Sequence, residues 1–276
     1  MRKKSYILLL VCILVCSMLF SACGKKDAAE DKKEKAKTEE QEKKKPKPEK
    51  LVIKDEPEEP EEPEIKTNGI TIVIDPGHSS VVENKQEPVG PGAYETKAGD
   101  TGGTSGVTTG IPEYEYTLKV GMKLKAELEA RGYTVVMTRE TNDQPRSCIE
   151  RAEIMNGANA SACVRIHANG SVNQGARGAM TICTTPSNPY VPNLYPESRR
   201  LSDCVLNRMV EATGCISEGV WETDTMSGNN WSQIPVTIVE TGYMTNPEED
   251  ALLASEDYQN LIVQGIANGI DEFAGQ

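Results

Sequence analysis

Apolar positions between residues 70 and 274 follow two rhythms. The first is a short β-branched run that stops at turn residues. Ile70-Thr71-Ile72-Val73-Ile74-Asp75, ending at Pro76-Gly77, is the clearest. Such runs read as buried strands. Tyr133–Thr138, Ala160–Ile166, Ala179–Cys183 and Pro235–Val239 are predicted to be further strands. The second rhythm is helical. One helix is predicted from Pro112-Glu113 to Gly132, with Pro suited to the first turn and Gly to the stop. Leu118, Met122 and Leu128 mark its apolar side, and Leu124 falls off that face. Ser147–Asn156 is a shorter helix with Ile149, Ala152 and Ile154 inward, and Glu197–Ala212, Pro247–Ala254 and Asp257–Phe273 follow. Ser79–Gly110 shows neither rhythm. Rich in Gly, Thr and Pro, it reads as a long surface loop, of the kind that is functional or mobile inside a compact domain. Strands separated by helices predict one α/β domain over residues 67–276. Its sheet is twisted, mixed or mostly parallel, with helices on both faces.

The pattern before residue 67 is different. Arg2-Lys3-Lys4 precedes an apolar run from Ile7 to Phe20, interrupted by Ser17, and small residues follow. The run is short of the ~20 residues of a membrane span and has the layout of a secretory signal. Leu19-Phe20-Ser21-Ala22-Cys23 resembles a bacterial lipobox, with Phe20 where Leu is usual. That resemblance implies a signal peptide over residues 1–22 and a lipidated Cys23. The plainer readings are an uncleaved anchor or an ordinary signal peptide. Acyl chains on Cys23 would hold the chain at a membrane, since each buried CH₂ contributes ~0.8 kcal/mol. Residues 24–66 hold 13 Lys and 15 acidic side chains among 43 positions and no aromatic residue. Such a stretch buries too little apolar surface to offset its ordering entropy and reads as a disordered tether. It would reach about 140 Å when extended and roughly 40 Å as a flexible coil.

Charge sharpens this division. The chain carries 30 basic and 42 acidic side chains, net -12, and residues 67–276 alone carry 14 and 27. The acidity therefore belongs to the folded part. It argues against nucleic acid as a partner, because phosphate contacts need clustered Lys and Arg. Five cysteines remain after Cys23: Cys148, Cys163, Cys183, Cys204 and Cys215. The number is odd and no C-x-x-C spacing occurs, so a cysteine metal site is not indicated. Cys163 and Cys183, in predicted strands, read as small apolar residues; a Cys204–Cys215 pair is disfavoured.

The chemistry converges on strand ends. The chain has two histidines, His78 and His167, and each follows an apolar strand. Glu240 follows a third, and sites in open α/β sheets form outside the carboxyl ends of the strands. Imidazole and carboxylate together suit a divalent metal of the zinc type. Glu113, at a helix start after the long loop, is a fourth candidate and gains from the helix dipole. The bland alternatives are hydrogen-bonding histidines, a buried ion pair for Glu240 and an ordinary first-turn Glu113. Asp75 either orients a ligand or closes its turn, and the turn is preferred. Asn169 either contacts substrate or fixes a strand end. Arg139 and Arg151 read as ion-pair residues, and Tyr243 and Trp231 as core. Gly99-Asp100-Thr101-Gly102-Gly103 lacks the Lys of a phosphate cradle and reads as a rim or lid.

Five segments stand out, in order: Ile72-Val73-Ile74-Asp75-Pro76-Gly77-His78, Glu113-Tyr114-Glu115-Tyr116-Thr117-Leu118, Thr138-Arg139 with Arg151-Ala152, Arg165-Ile166-His167-Ala168-Asn169, and Val239 to Glu249. Together they resemble the zinc-dependent N-acetylmuramoyl-L-alanine amidases of the amidase-3 family. The resemblance covers roughly residues 69–274. It implies one zinc ion held by His78, Glu113 and His167, with Glu240 as the catalytic carboxylate. It also implies peptidoglycan as the substrate. Arg165 departs from the family's usual small residue, and Glu115 is a second acid beside Glu113. A lipid-anchored enzyme on the outer face of the cytoplasmic membrane, reaching the cell wall, is the resulting expectation. Peptidoglycan and a membrane are its partners, and an activator protein is left open. The competing readings are a silent wall-binding module, against which all four site residues argue, and another zinc hydrolase of peptidoglycan, a deacetylase or carboxypeptidase, against which the Glu240 block argues.

Overall fold

A computed structural model describes residues 67–276. The export signal, Cys23 and the charged segment to residue 66 lie outside the described residues. Six strands form one sheet in the order β4-β1-β5-β8-β6-β7. They are β1 (Thr71–Pro76), β4 (Thr134–Met137), β5 (Ala162–Asn169), β6 (Ala179–Cys183), β7 (Ser217–Glu222) and β8 (Val236–Tyr243). β4, β1, β5 and β8 run parallel; β6 is antiparallel to β8, and β7 parallel to β6. The expected mixed, mostly parallel α/β sheet is therefore present.

Alternation along the strands sorts their side chains onto two faces. Ile72 and Ile74 of β1 and Val164 and Ile166 of β5 enter the larger core, with α1 (Glu113–Ala130), α3 (Tyr195–Thr213) and α6 (Glu256–Ala274). Val73, Cys163 and Val236 enter a smaller core against α2 (Cys148–Gly157). A one-turn helix, α4 (Ser227–Asn230), lies beside α2 on that face. Arg165 and His167 of β5, and Glu240 of β8, share the face of Cys163 and Val236 by the same alternation. That face has the lighter helical cover, and the cleft opens there.

α3 and α6 pack backbone to backbone. A Cβ on Gly265 would stand 2.5 Å from the Cα of Met209, and one on Gly269 would stand 2.5 Å from the Cα of Val205. Two glycines four apart thus clear one stripe of α6 for close approach. α5 (Pro247–Ala254) starts at Asn246, whose side chain accepts from the amides of Glu248 and Glu249. Its amide nitrogen also donates to the Gln174 and Ala176 carbonyls, tying the loop after β5 to this helix start.

Several expectations are corrected. The buried face of α1 runs through Glu113, Thr117, Val120, Leu124 and Leu128. Leu124 is fully buried, while Met122 is 42% exposed. Leu118, Met122 and Leu128 placed the face wrongly because Tyr116, Thr117 and Gly121 also face inward. On α2 the inward residues are Arg151, Ala152 and Met155, with Ile149 and Ile154 half-buried. β5 and β8 run on through His167 and Glu240, because Asn169 still pairs with Tyr243 across a register shift. β7 lacks an apolar run because it is a half-exposed edge strand. The Ser79–Gly110 stretch contains a two-stranded ribbon, β2 (Gln86–Pro88) with β3 (Thr96–Ala98). All five cysteines among the described residues are free.

Candidate metal centre and active-site cleft

Three elements converge on one point. β1 ends at Pro76, and His78 follows in a left-handed backbone conformation, φ 61°. β5 presents His167, and α1 presents Glu113 in its first turn from across the sheet end. The ligand-type atoms of these three residues lie within 4.8 Å of one another. Glu113 Oε1 is 3.1 Å from His78 Nε2 and 3.1 Å from His167 Nδ1. Glu115 is exposed and points elsewhere, so Glu113 is the acid that joins the histidines.

His78 and Glu113 are held from outside the centre. His78 Nδ1 lies 2.7 Å from the carbonyl of Thr101. A carbonyl only accepts, so Nδ1 carries the proton and Nε2 offers its lone pair to the centre. Glu113 Oε2 accepts from the Thr104 amide at 2.8 Å, and Oε1 from the Ala168 amide at 3.1 Å. The two imidazole rings stand edge to face, 4.8 Å apart. Gly77 is required beneath them: a Cβ there would sit 2.3 Å from the His167 ring. Orientation of a ligand by a partner on its other side is what a metal site needs. Two imidazoles and one carboxylate around a common point fit a zinc-type ion.

Glu240 stands opposite His167 in the β5–β8 register. Its Oε2 is shut away from solvent and has no hydrogen-bond partner among the described residues. Burial, then the nearby Glu113 carboxylate, push its pKa up to about 8, against the pull of Arg165. A carboxylate poised near neutrality, facing a cleft, has the properties of a general acid–base group.

Beneath the centre lies a buried charge network. Asp75, fully buried, pairs with Arg151 and Arg165, each at 2.7 Å, and accepts from the Thr138 hydroxyl at 2.5 Å. Burial alone would raise its pKa; the two guanidiniums and the hydroxyl hold it well below the usual carboxylate range. The Asp75 carboxylate thus bonds to Thr138, Arg151 and Arg165 rather than closing its own turn. It pairs with two arginines, and Arg151 donates onward to the Pro76 and His78 carbonyls, bracing the His78 turn. Arg139, expected to pair with an acid, instead donates to the carbonyls of Pro76, Gly77 and Tyr114. It ties the end of β1 to the start of α1. Asn169 accepts from the Gly170 amide and lines the cleft. Tyr243 is buried, and Trp231 donates to the Pro88 carbonyl; neither lines the cleft.

The cleft has a volume of about 790 Å³. Its walls include residues that the sequence pattern did not single out: Lys97, Ala98, Cys148, Ser171, Thr225 and Met226. The Gly99–Gly103 segment supplies the Thr101 carbonyl and packs Gly103 against Glu113, so it is a wall of the centre rather than a cover. The β2–β3 ribbon is likewise pinned. Glu87 accepts from the Ser147 hydroxyl at 2.6 Å and from the Ile149 amide at 3.2 Å, at the start of α2. Trp231 and Asn230 donate to the Pro88 and Val89 carbonyls.

Fold and site together define a hydrolase-type cleft at the carboxyl end of an α/β sheet. The chain belongs to the N-acetylmuramoyl-L-alanine amidase family, whose sequence model matches residues 72–272. It is an enzyme of that class, a peptidoglycan hydrolase. It is 29% identical over 213 residues to the N-acetylmuramoyl-L-alanine amidase Rv3717 of Mycobacterium tuberculosis, covering 72% of this chain and 86% of that protein. It is 26% identical to the probable cell wall amidase LytH of Staphylococcus aureus, covering 73% of this chain and 57% of LytH. Among solved structures, the amidase Ami1 of Mycobacterium smegmatis superposes with a TM-score of 0.69 at 26% identity, over 76% of this chain and 99% of that one.

Proposed function

We propose that this amidase cuts the bond between N-acetylmuramic acid and the L-alanine of the stem peptide with the help of one zinc ion. The observation that carries the reading is the convergence of His78, Glu113 and His167 on one point, with the unpartnered Glu240 carboxylate beside it. The three converging residues would hold the ion and leave a coordination position for water, the pattern of a catalytic rather than a structural site. Zinc, when bound, makes a water acidic near neutral pH and polarises a carbonyl oxygen. Glu240 takes the proton of the attacking water and returns it to the departing amine. The C–N bond breaks, leaving a lactyl carboxylate on the sugar and a free amine on L-alanine. The Thr101 carbonyl and the Ala168 and Thr104 amides keep His78 and Glu113 in place through the cycle.

The proposal extends to location. Peptidoglycan lies outside the cytoplasmic membrane, so the enzyme must be exported. Residues 1–22 would direct export, Cys23 would carry the lipid, and residues 24–66 would space the 67–276 domain from the membrane. Among the described residues, no helix is long and apolar enough to cross a membrane.

The test is to incubate the full chain with purified peptidoglycan, with and without a zinc chelator. New amino-terminal L-alanine, abolished by the chelator and restored by zinc, is expected. Release of acetate or D-alanine would mean a different bond is cut, and chelator-resistant release would remove the metal from the reaction.

A further inference from the structure

The cleft is electrically lopsided. Its lining residues on one rim are Asn169, Gly170, Ser171, Val172 and Thr245, from the ends of β5 and β8, and none carries charge. The other rim is built from β3, the start of α2 and the 225–228 turn, and it holds Lys97. Among the described residues that line the cleft, Lys97 is the one lysine and Arg165 the one arginine. Arg165 is committed to Asp75 and buried against Gly228. Lys97 is exposed, and its ammonium makes one hydrogen bond, 3.0 Å to the Thr225 carbonyl. An ammonium has three donors, so two stay available to a ligand.

The position of that cation is fixed from both ends. Its strand, β3, pairs with β2, where Lys97 stands opposite Glu87, and β2 is pinned through Glu87 to the start of α2 and through the Trp231 and Asn230 bonds to the 230s segment. Its head is tied to the Thr225 carbonyl. A lone, held ammonium on the rim of a cleft in a protein of net charge -12 is suited to reading a carboxylate. Resting on the amidase reading above, we propose that Lys97 is a specificity residue that binds a free carboxylate of the stem peptide. The stem then runs along the β3 rim, and the muramic acid lies along the uncharged Asn169–Thr245 rim. Stem peptides carry such a carboxylate where D-glutamate follows L-alanine, and lose it where that residue is amidated.

The test uses two muramyl peptides that differ only in this group, one with D-glutamate and one with D-isoglutamine. Wild-type full chain and the Lys97→Met and Lys97→Arg variants are compared by kcat and KM. Wild type is expected to favour the acid by about tenfold in kcat/KM, as a charge-assisted hydrogen bond allows. In Lys97→Met that ratio falls to near one, the loss being carried by KM, and Lys97→Arg keeps most of it. Raising the salt concentration shrinks the wild-type preference and leaves the ratio of Lys97→Met alone. Equal use of both peptides by wild type, or an unchanged ratio in Lys97→Met, overturns the inference and leaves the amidase reading standing. Failure of wild type to release L-alanine amine from either peptide overturns both.

Discussion

Glu240 and Glu113 show how much a single position decides. Both are carboxylates at the same cleft, yet Glu113 has four polar neighbours and Glu240 Oε2 has none. On the proposed mechanism, Glu240→Gln is expected to bind metal as the wild type does and to lose about 100- to 10,000-fold in turnover, the usual size of general acid–base catalysis. Metal content and kcat of the purified variant check this, and normal turnover would remove the general-base role. The same residue carries a stability signature in the metal-free chain. Its folded pKa, about 8, lies above its ordinary value of 4.5. The protonated form therefore favours folding; that contribution is full below about pH 4.5 and is lost as pH rises through about 8. Glu240→Gln should match wild type in thermal melts near pH 4 and exceed it near pH 9, by about 1–3 kcal/mol for an unpartnered buried group. A difference that does not grow with pH would mean the carboxylate has a partner. His78, His167 and Glu240 stood out by residue type and strand position, whereas Glu113 joined them as a set only through the family resemblance. The role of Asp75 was not, since Arg151 and Arg165 reach it from 76 and 90 residues away.

Elements were legible where the chain repeats a simple rhythm. The strands β1 and β6 and the helices α3, α5 and α6 were read close to their limits because their burial follows from local spacing, whereas β5 was read to stop short of His167. β2 and β3 were invisible: three residues each, with no apolar alternation, carry no pattern, and the ribbon exists because Glu87, Pro88 and Val89 find partners on α2 and the 230s segment. The close approach of α3 and α6 yields a counterintuitive expectation. Alanine is favoured over glycine inside a helix by about 1 kcal/mol. At Gly269 the added methyl would press on the α3 backbone, and overpacking costs about 1–3 kcal/mol. Gly269→Ala should therefore lower the urea midpoint, whereas Gly157→Ala, with open space around its Cβ, should leave it unchanged or raise it. Equal effects at the two glycines would show that helix propensity, not packing, governs α6.

At the scale of the whole molecule, activity depends on bringing the cleft to an immobile substrate. If Cys23 carries the anchor, Cys23→Ser should move the exported protein from the membrane fraction to the medium without changing its rate on soluble muramyl peptides. Fractionation and a rate assay check both halves, and unchanged membrane retention would assign the anchoring to another segment. By itself the sequence determined the α/β order and the acidic balance of the folded part, and it set both histidines and Glu240 near the ends of apolar runs. Those are properties of residue type and short-range period, which a linear reading captures. Only the tertiary structure decided which face of α1 is buried, that Glu240 lies within β8 rather than beyond it, and that Asp75 pairs with two arginines. It also decided that a polar ribbon brings Lys97 to the cleft. Burial of charge and the approach of distant walls depend on distances across the fold, and these are not functions of local sequence.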